Sequence, residues 1–275
     1  NIARTGVDST DEDTLERTVW AYSNSKSTGS TINLTGAVDI RTDNYELSSN
    51  SADVAVAAGT ATGLEADDVD KFNDANDKRS VVNINYTDTA AGNINYIKGD
   101  ILAAYAGEVN IKALGENSRA VNNAGIVIEG NLLAGNNGIL DVNLGKGGIL
   151  IGRADDYGDA GVVENSGHGT VENDEGETFY NPAFSSDIYR GGDVTLTMGD
   201  GSRWNVQGQS WITNVKTDGN ATIDLTSAEK GYESYDSHAL TIRNLSGGAN
   251  IKMNLDGDRS QSDMLYIGQG SGIYN

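Results

Sequence analysis

Asp193-Val194-Thr195-Leu196-Thr197-Met198-Gly199-Asp200-Gly201-Ser202-Arg203-Trp204-Asn205-Val206 is the stretch whose reading decides the fold. Val194, Leu196 and Met198, then Trp204 and Val206, fall at every second position. A strand sends successive side chains to opposite faces, so this spacing makes one face apolar and leaves Thr, Arg and Asn on the other. Between the two runs, Gly199-Asp200-Gly201 supplies positive φ and a side chain that bonds back to the turn backbone. The pattern continues through Ala221, Ile223 and Leu225, Leu240 and Ile242, Ile251, Met253 and Leu255, then Leu265 and Ile267. Its corners are Thr217-Asp218-Gly219, Ser246-Gly247-Gly248 and Asp256-Gly257-Asp258. Short half-buried strands joined by tight corners are predicted throughout 193–267.

Working toward the N-terminus, residues 81–152 repeat. Asn83-Ile84-Asn85-Tyr86 returns as Asn93-Ile94-Asn95-Tyr96, and Gly99-Asp100-Ile101-Leu102-Ala103-Ala104 returns as Gly130-Asn131-Leu132-Leu133-Ala134-Gly135. The numbering of the second pair differs by 31, and the same offset relates Gly107 to Gly138, Val109 to Leu140 and Ile111 to Val142. Corners and inward positions therefore recur together, as in arrays whose units bury their apolar faces only by stacking. The unit has no 3.6-residue stripe and no propeller dipeptides, so the expected architecture is all-β, a β-solenoid. At about 20 to 30 residues per coil and ~4.8 Å between coils, the chain would make on the order of ten coils and a rod about 50 Å long.

Composition fits. The chain has 275 residues, 37% hydrophobic, with 35 Gly against one Pro, enough to bury a core and to turn many corners. Its formal charge of −21 repels phosphate, so nucleic acid is excluded as an expected partner. There is no Cys, hence no disulfide or thiolate metal site. The sequence opens Asn1-Ile2-Ala3-Arg4 without an apolar signal core, so any targeting segment is expected to have been removed and the sequence to be a fragment.

Three stretches depart from the alternation. Asp11, Glu12 and Asp13 before Thr14-Leu15-Glu16-Arg17-Thr18-Val19-Trp20 suit a helix N-terminus, and a short cap is expected there rather than a strand. Residues 57–80 read as an acidic loop; no Asp-x-Asp-x-Asp-Gly spacing marks it as a calcium loop. Residues 152–190 read as a second excursion, acidic and aromatic together. Asp155, Asp156, Tyr157, Phe179 and Tyr180 are its candidate ligand-binding residues, since aromatics in an acidic loop suit contact with a partner. The plainer reading has the aromatics pinning the loop to the coils.

The motifs Gly201-Ser202-Arg203-Trp204-Asn205-Val206, Ser210-Trp211-Ile212, Leu240-Thr241-Ile242, Leu245-Ser246-Gly247 and Ser262-Asp263-Met264-Leu265 resemble the passenger domains of type V bacterial autotransporters, of the pertactin-like, AIDA-type group. The resemblance implies a right-handed parallel β-helix, with coils and two excursions over 1–192 and C-terminal coils over 193–275 that resemble the autochaperone region. It further implies export through the periplasm and outer membrane to the bacterial surface. Membrane contact would come only through a C-terminal β-barrel that residues 1–275 do not contain.

Chemistry is thin. His168 and His238 stand far apart in the chain, and neither Gly-x-Ser-x-Gly nor the Gly-Asp-Ser-Gly of serine-protease passengers occurs. Asp256, Asp258 and Asp263 read as a turn between strands. No catalytic, metal or cofactor residues are expected, and the reading is an adhesin that binds host surface glycans, matrix proteins or the same passenger on neighbouring cells. The alternative is a β-helix enzyme acting on polysaccharide, which would gather three or more Asp, Lys or Arg in one exposed groove.

Overall fold

The structure is a computed structural model that describes residues 2–4, 17–23, 28–42, 45, 54–60, 78–88, 94–114, 125–135, 137–156, 170–172, 178–180, 192–226, 239–255 and 262–274. Among these the chain is a parallel β-helix with no α-helix. After β1 (Ile2–Arg4), the first coil is β2 (Arg17–Ser23), β3 (Thr31–Gly36) and β4 (Asp39–Thr42). The second is β5 (Val54–Thr60), β6 (Val81–Tyr86) and β7 (Asn95–Lys98); the third is β8 (Asp100–Ala104), β9 (Glu108–Ala113) and β10 (Ile126–Glu129). The fourth is β11 (Leu132–Ala134), β12 (Ile139–Asn143) and β13 (Ile149–Gly152). The fifth begins with β14 (Ala154–Asp155), passes the antiparallel pair β15 (Thr170–Glu172) and β16 (Thr178–Tyr180), and resumes with β17 (Asp193–Met198) and β18 (Arg203–Val206). Then come β19 (Ser210–Thr217) with β20 (Ala221–Asp224), β21 (Ala239–Lys252) and β22 (Met264–Tyr274).

Strands of successive coils pair to make three faces. The first contains β3, β6, β9, β12, β17, β19, β21 and β22, the second β1, β4, β7, β10, β13, β18, β20 and β21, and the third β2, β5, β8, β11 and β14. The long strand β21 pairs with both β19 and β20, which joins the first two faces into one 15-stranded sheet. The repeat seen in the sequence is the pairing register on all three faces: Ile101 meets Leu132, Val109 meets Leu140, and Ile97 meets Ile128. Inside, Leu34, Ile84, Ile111, Val142, Leu196, Val215 and Leu245 form one ladder on the first face. Ile40, Ile97, Ile128, Leu150, Trp204, Ile223 and Ile251 form the facing one. Their burial supplies the main driving force, about 1.5 to 3 kcal/mol per large aliphatic side chain.

Several expectations change. The described strands stack eight deep on the first face, which at ~4.8 Å per coil is about 35 Å, less than the ten coils expected because long connections consume chain. Arg17–Ser23 is a strand and not a cap: Val19 and Ala21 enter the core in register with Val56 and Ala58. The run from Ala57 to Thr60 belongs to β5 and not to a loop. Ala, small enough for either side of a sheet buried on both faces, hid the alternation there. Likewise β14 lies on the third face, so the second excursion leaves after Asp156 and not at 152. At the C-terminal end Leu255 and Ile267 are 81% and 38% exposed, outside the core assigned to them. The twin tetrapeptides run in opposite phase: Ile84 is fully buried, whereas Ile94 is 62% exposed and Asn95 turns inward.

Corners dictate composition. A Cβ on Gly130 would lie 2.1 Å from the Gly99 carbonyl oxygen, and one on Gly152 would lie 2.1 Å from that of Gly130, so glycines stack where the second face turns into the third. Beside them runs a buried polar spine. Asp100 Oδ1 accepts hydrogen bonds from Tyr45 Oη at 2.5 Å and from the Asn131 N–H at 2.8 Å, and Asn131 Oδ1 accepts from the Arg153 N–H at 3.1 Å. Inward Asn95 does the same at another corner, accepting from the Val38 N–H and donating to the carbonyls of Thr87 and Gly125. Three successive coils are thereby tied by one amide.

Burial pushes the Asp100 carboxyl up to about 6, against the opposing pull of the Tyr45 hydroxyl, Asn131 and Arg153. A folded-state value above the unfolded one means that the folded chain holds the proton more tightly. The contribution is fully present below about pH 4 and is lost as pH rises through about 6, at most about 3 kcal/mol. Asp100→Asn keeps an acceptor for both donors and removes the titration. Melting temperatures recorded from pH 4 to 7.5 should fall less steeply for the variant than for the parent; superimposable slopes would contradict this account.

Candidate functional site

Strand polarity that sends Val82, Ile84 and Tyr86 inward sends Asn83 and Asn85 outward, and every coil repeats the choice on the first face. Pairing register sets Asn33, Asn83, Asn110, Asp141, Thr195, Asn214, Asn244 and Gln269 in one outward column. Beside it stand Thr35, Asn85 and Lys112 and, past the buried Asn143, Thr197, Lys216, Ser246 and Ser271. Four of the seven steps in the first column carry a side-chain hydrogen bond. Asn83 Nδ2 donates to Asn33 Oδ1 at 2.9 Å, Asn110 Nδ2 to Asn83 Oδ1 at 3.0 Å, Asn214 Nδ2 to Thr195 Oγ1 at 3.1 Å, and Asn244 Nδ2 to Asn214 Oδ1 at 3.0 Å.

An amide has two N–H donors and two acceptor lone pairs. Asn83 and Asn214 each spend one N–H and one lone pair on the ladder, which leaves one of each for a partner. Rotamers fixed by the ladder hold these groups at the coil rise of ~4.8 Å. Of the charges here, Lys112 Nζ lies 2.8 Å from Asp141 Oδ2, Glu108 Oε1 accepts from Asn110 Nδ2 at 2.7 Å, and Lys216 is exposed. The face is an ordered array made mainly of neutral donors and acceptors, with Asp141, Lys112 and Lys216 among them.

On the second face, Asn205, Asp224 and Lys252 follow one another in register. The Asp224 side chain is 1% exposed; it is paired with Arg203 through Nη2, and Lys252 Nζ lies 3.4 Å away. Burial raises its pKa, but hydrogen bonds from Thr226 and the charges of Arg203 and Lys252 outweigh this and hold it below the ordinary carboxylate value. It is an enclosed counter-ion, suited to fixing two cations and poorly placed to deliver a proton. Nearer the N-terminal end, Arg41 lies over the Tyr96 ring at 4.8 Å, and the Tyr96 hydroxyl donates to Glu129. Among the described residues no group of three His, Asp or Glu is arranged to hold a metal.

The candidate residues of the second excursion separate. Asp155 and Asp156 are both 5% exposed and belong to the coil wall, and Asp156 Oδ2 accepts from Thr213 Oγ1 at 2.6 Å. Phe179 and Tyr180 lie in β16, opposite Val171 and Thr170 of β15. Tyr157, His168, His238, Asp256 and Asp258 are outside the described residues. The outward amide column was missed as a site because its members are spread from position 33 to position 269. The sequence repeat, applied to Asn110 and Asp141, was the signal that links two of them. A scan against known protein families, a search of curated proteins and a search of solved structures each return no match.

Asn83→Ala removes one donor and one acceptor from the ladder and should cost about 1 kcal/mol in urea unfolding. In a double-mutant cycle Asn83→Ala and Asn110→Ala should couple, whereas Asn83→Ala and Asn244→Ala should add. Additivity in the adjacent pair would show that the ladder bonds carry no net energy.

Proposed function

We propose that the chain is a non-enzymatic adhesive rod of the autotransporter-passenger type, displayed at a bacterial surface, with the first face as its adhesive surface. The observation that carries this reading is the outward amide and hydroxyl column that persists from β3 to β22. Many weak, identically spaced hydrogen-bonding groups give little affinity singly and a large avidity together, which suits attachment of one surface to another. Glycans and matrix proteins offer hydroxyl and amide groups in quantity, and a second copy of the chain offers the same repeat.

The test uses beads carrying the protein at controlled density, allowed to settle on glycan and matrix-protein arrays and on each other. Replacing Asn83, Asn110, Asn214 and Asn244 together by Ala should leave the β-sheet circular dichroism in place and lower bead attachment or bead clustering at least tenfold. Undiminished attachment on all three surfaces would discard the first face. Among the described residues, the polysaccharide-enzyme reading finds its foothold at Arg203, Asp224 and Lys252. Incubation with acidic and neutral polysaccharides should release no product above blank, and turnover lost on Asp224→Asn would replace the adhesive reading with the enzymatic one.

A further inference from the structure

Three glycines occupy one place in successive coils. A Cβ on Gly107 would lie 2.0 Å from the Ala58 carbonyl oxygen, one on Gly138 would lie 2.1 Å from that of Ala103, and one on Gly192 would lie 2.7 Å from the carbonyl carbon of Ala134. Each donates its N–H to a carbonyl that ends the third face: Gly107 to Ala104 at 2.8 Å, Gly138 to Gly135 at 2.9 Å, and Gly192 to Asp156 at 2.7 Å. In the third and fourth coils two residues separate the bonded ends, as in a β-turn. Between Asp156 and Gly192 lies the whole of 157–191. A bond to the corner glycine thus spans a two-residue turn in two coils and a long segment in the next, where Asp156 stands level with Ala134, one residue before the position of Gly135.

Its neck is fastened from the following coil. Thr213 Oγ1 donates to Asp156 Oδ2 and accepts the Val194 N–H at 3.2 Å, so one side chain holds both strands as they part and rejoin. Register beyond the neck is undisturbed, with Ile139 opposite Asp193 and Val142 opposite Leu196. With two residues in place of 157–191, the interval from Ile139 to Asp193 shrinks to nearly that from Thr195 to Asn214, the coil that follows. The second coil departs at the same corner. Gly59 pairs with Ala104, and Ser80 accepts from the Glu108 N–H as Gly107 accepts from that of Ile139, with residues 60–79 between. The described part of the 157–191 segment, β15 with β16, is the one antiparallel strand pair among the described strands.

We propose that residues 157–191 are an excisable module inserted into a tight turn, and that the edge between the third and first faces is where the rod carries such modules. The coil closes at the neck through bonds made outside the segment, from Gly192 and Thr213 to Asp156 and from Val194 to Thr213. This inference does not depend on the adhesive reading of the first face.

Two replacements of 157–191 test it in the otherwise intact chain, one by Asn-Gly and one by a six-residue Gly/Ser linker. Asn-Gly suits the geometry, since Tyr105 and Ala106 of the neighbouring turn have φ of 46° and 57°. At least one replacement should retain the parent's far-ultraviolet circular dichroism, a single cooperative transition and a melting temperature within about 5 °C of the parent. A third chain, with 157–191 moved between Tyr105 and Ala106, should also fold, because that turn is the same port one coil pair away. The proposal is overturned if both replacements aggregate or lose the cooperative transition, and the port is restricted to the fifth coil if only the transplanted chain does so.

Discussion

Hydrogen bonding between coils at one fixed rise is the constraint on which the rest of this molecule depends. On the inner strands of each face the backbone is bonded to the coils before and after, so each side chain inherits the position of its partner one rise away. A residue's environment is then set less by its sequence neighbours than by the residues in register with it. Ile84 sits between Leu34 and Ile111, and Asn83 sits between Asn33 and Asn110, all of them distant along the chain. Aliphatic and amide ladders are two consequences of the same pairing, one on each side of a sheet.

Corners must satisfy the same rise, and there the backbone itself is the obstacle. Where Gly130 passes under Gly99, or Gly107 under Ala58, the space for a Cβ is filled by a carbonyl oxygen. Side chains can be spared at a corner, but its polar groups cannot be left unpaired inside. Asp100, Asn131 and Asn95 supply those partners, and the cost appears as a carboxyl held partly protonated near neutral pH. Corners that open outward have no such restriction, which is why chain length varies there far more than along the ladders, where β5 carries one extra residue between Val54 and Val56 against β8.

This division explains what could be read from the sequence. The fold class, the register between the third and fourth coils and the inward ladder of the C-terminal coils were legible because each is a period, and periods survive without coordinates. Strand β5 was not, because Ala on both sides erases the alternation. Nor was the phase of Asn93-Ile94-Asn95-Tyr96, identical in letters to a buried segment yet rotated so that Asn95 enters the core and Ile94 leaves it. Local sequence offers two phases of equal propensity, and the choice is made by Ile40 and Ile128, which flank Ile97 in register. The polar face was legible only as "the other side" of each strand; its continuity depends on register between coils whose connections differ greatly in length.

Register also limits where charge can go. Stacking one carboxylate on another at ~4.8 Å costs about 1 kcal/mol in water and several times that beside a protein surface, at every rung. A chain of net charge −21 therefore cannot place its acids in columns. Its outward column is amide and hydroxyl instead, and Asp141 is admitted beside Lys112. Asp224 is admitted between Arg203 and Lys252. The connections hold the surplus: 157–191 has seven acids against one Arg, and 60–79 has six against three basic residues. The neutrality that suits the first face to hydrogen bonding with a partner is thus imposed by the way the rod is built, and acidity is displaced to the edge where the coils let the chain leave.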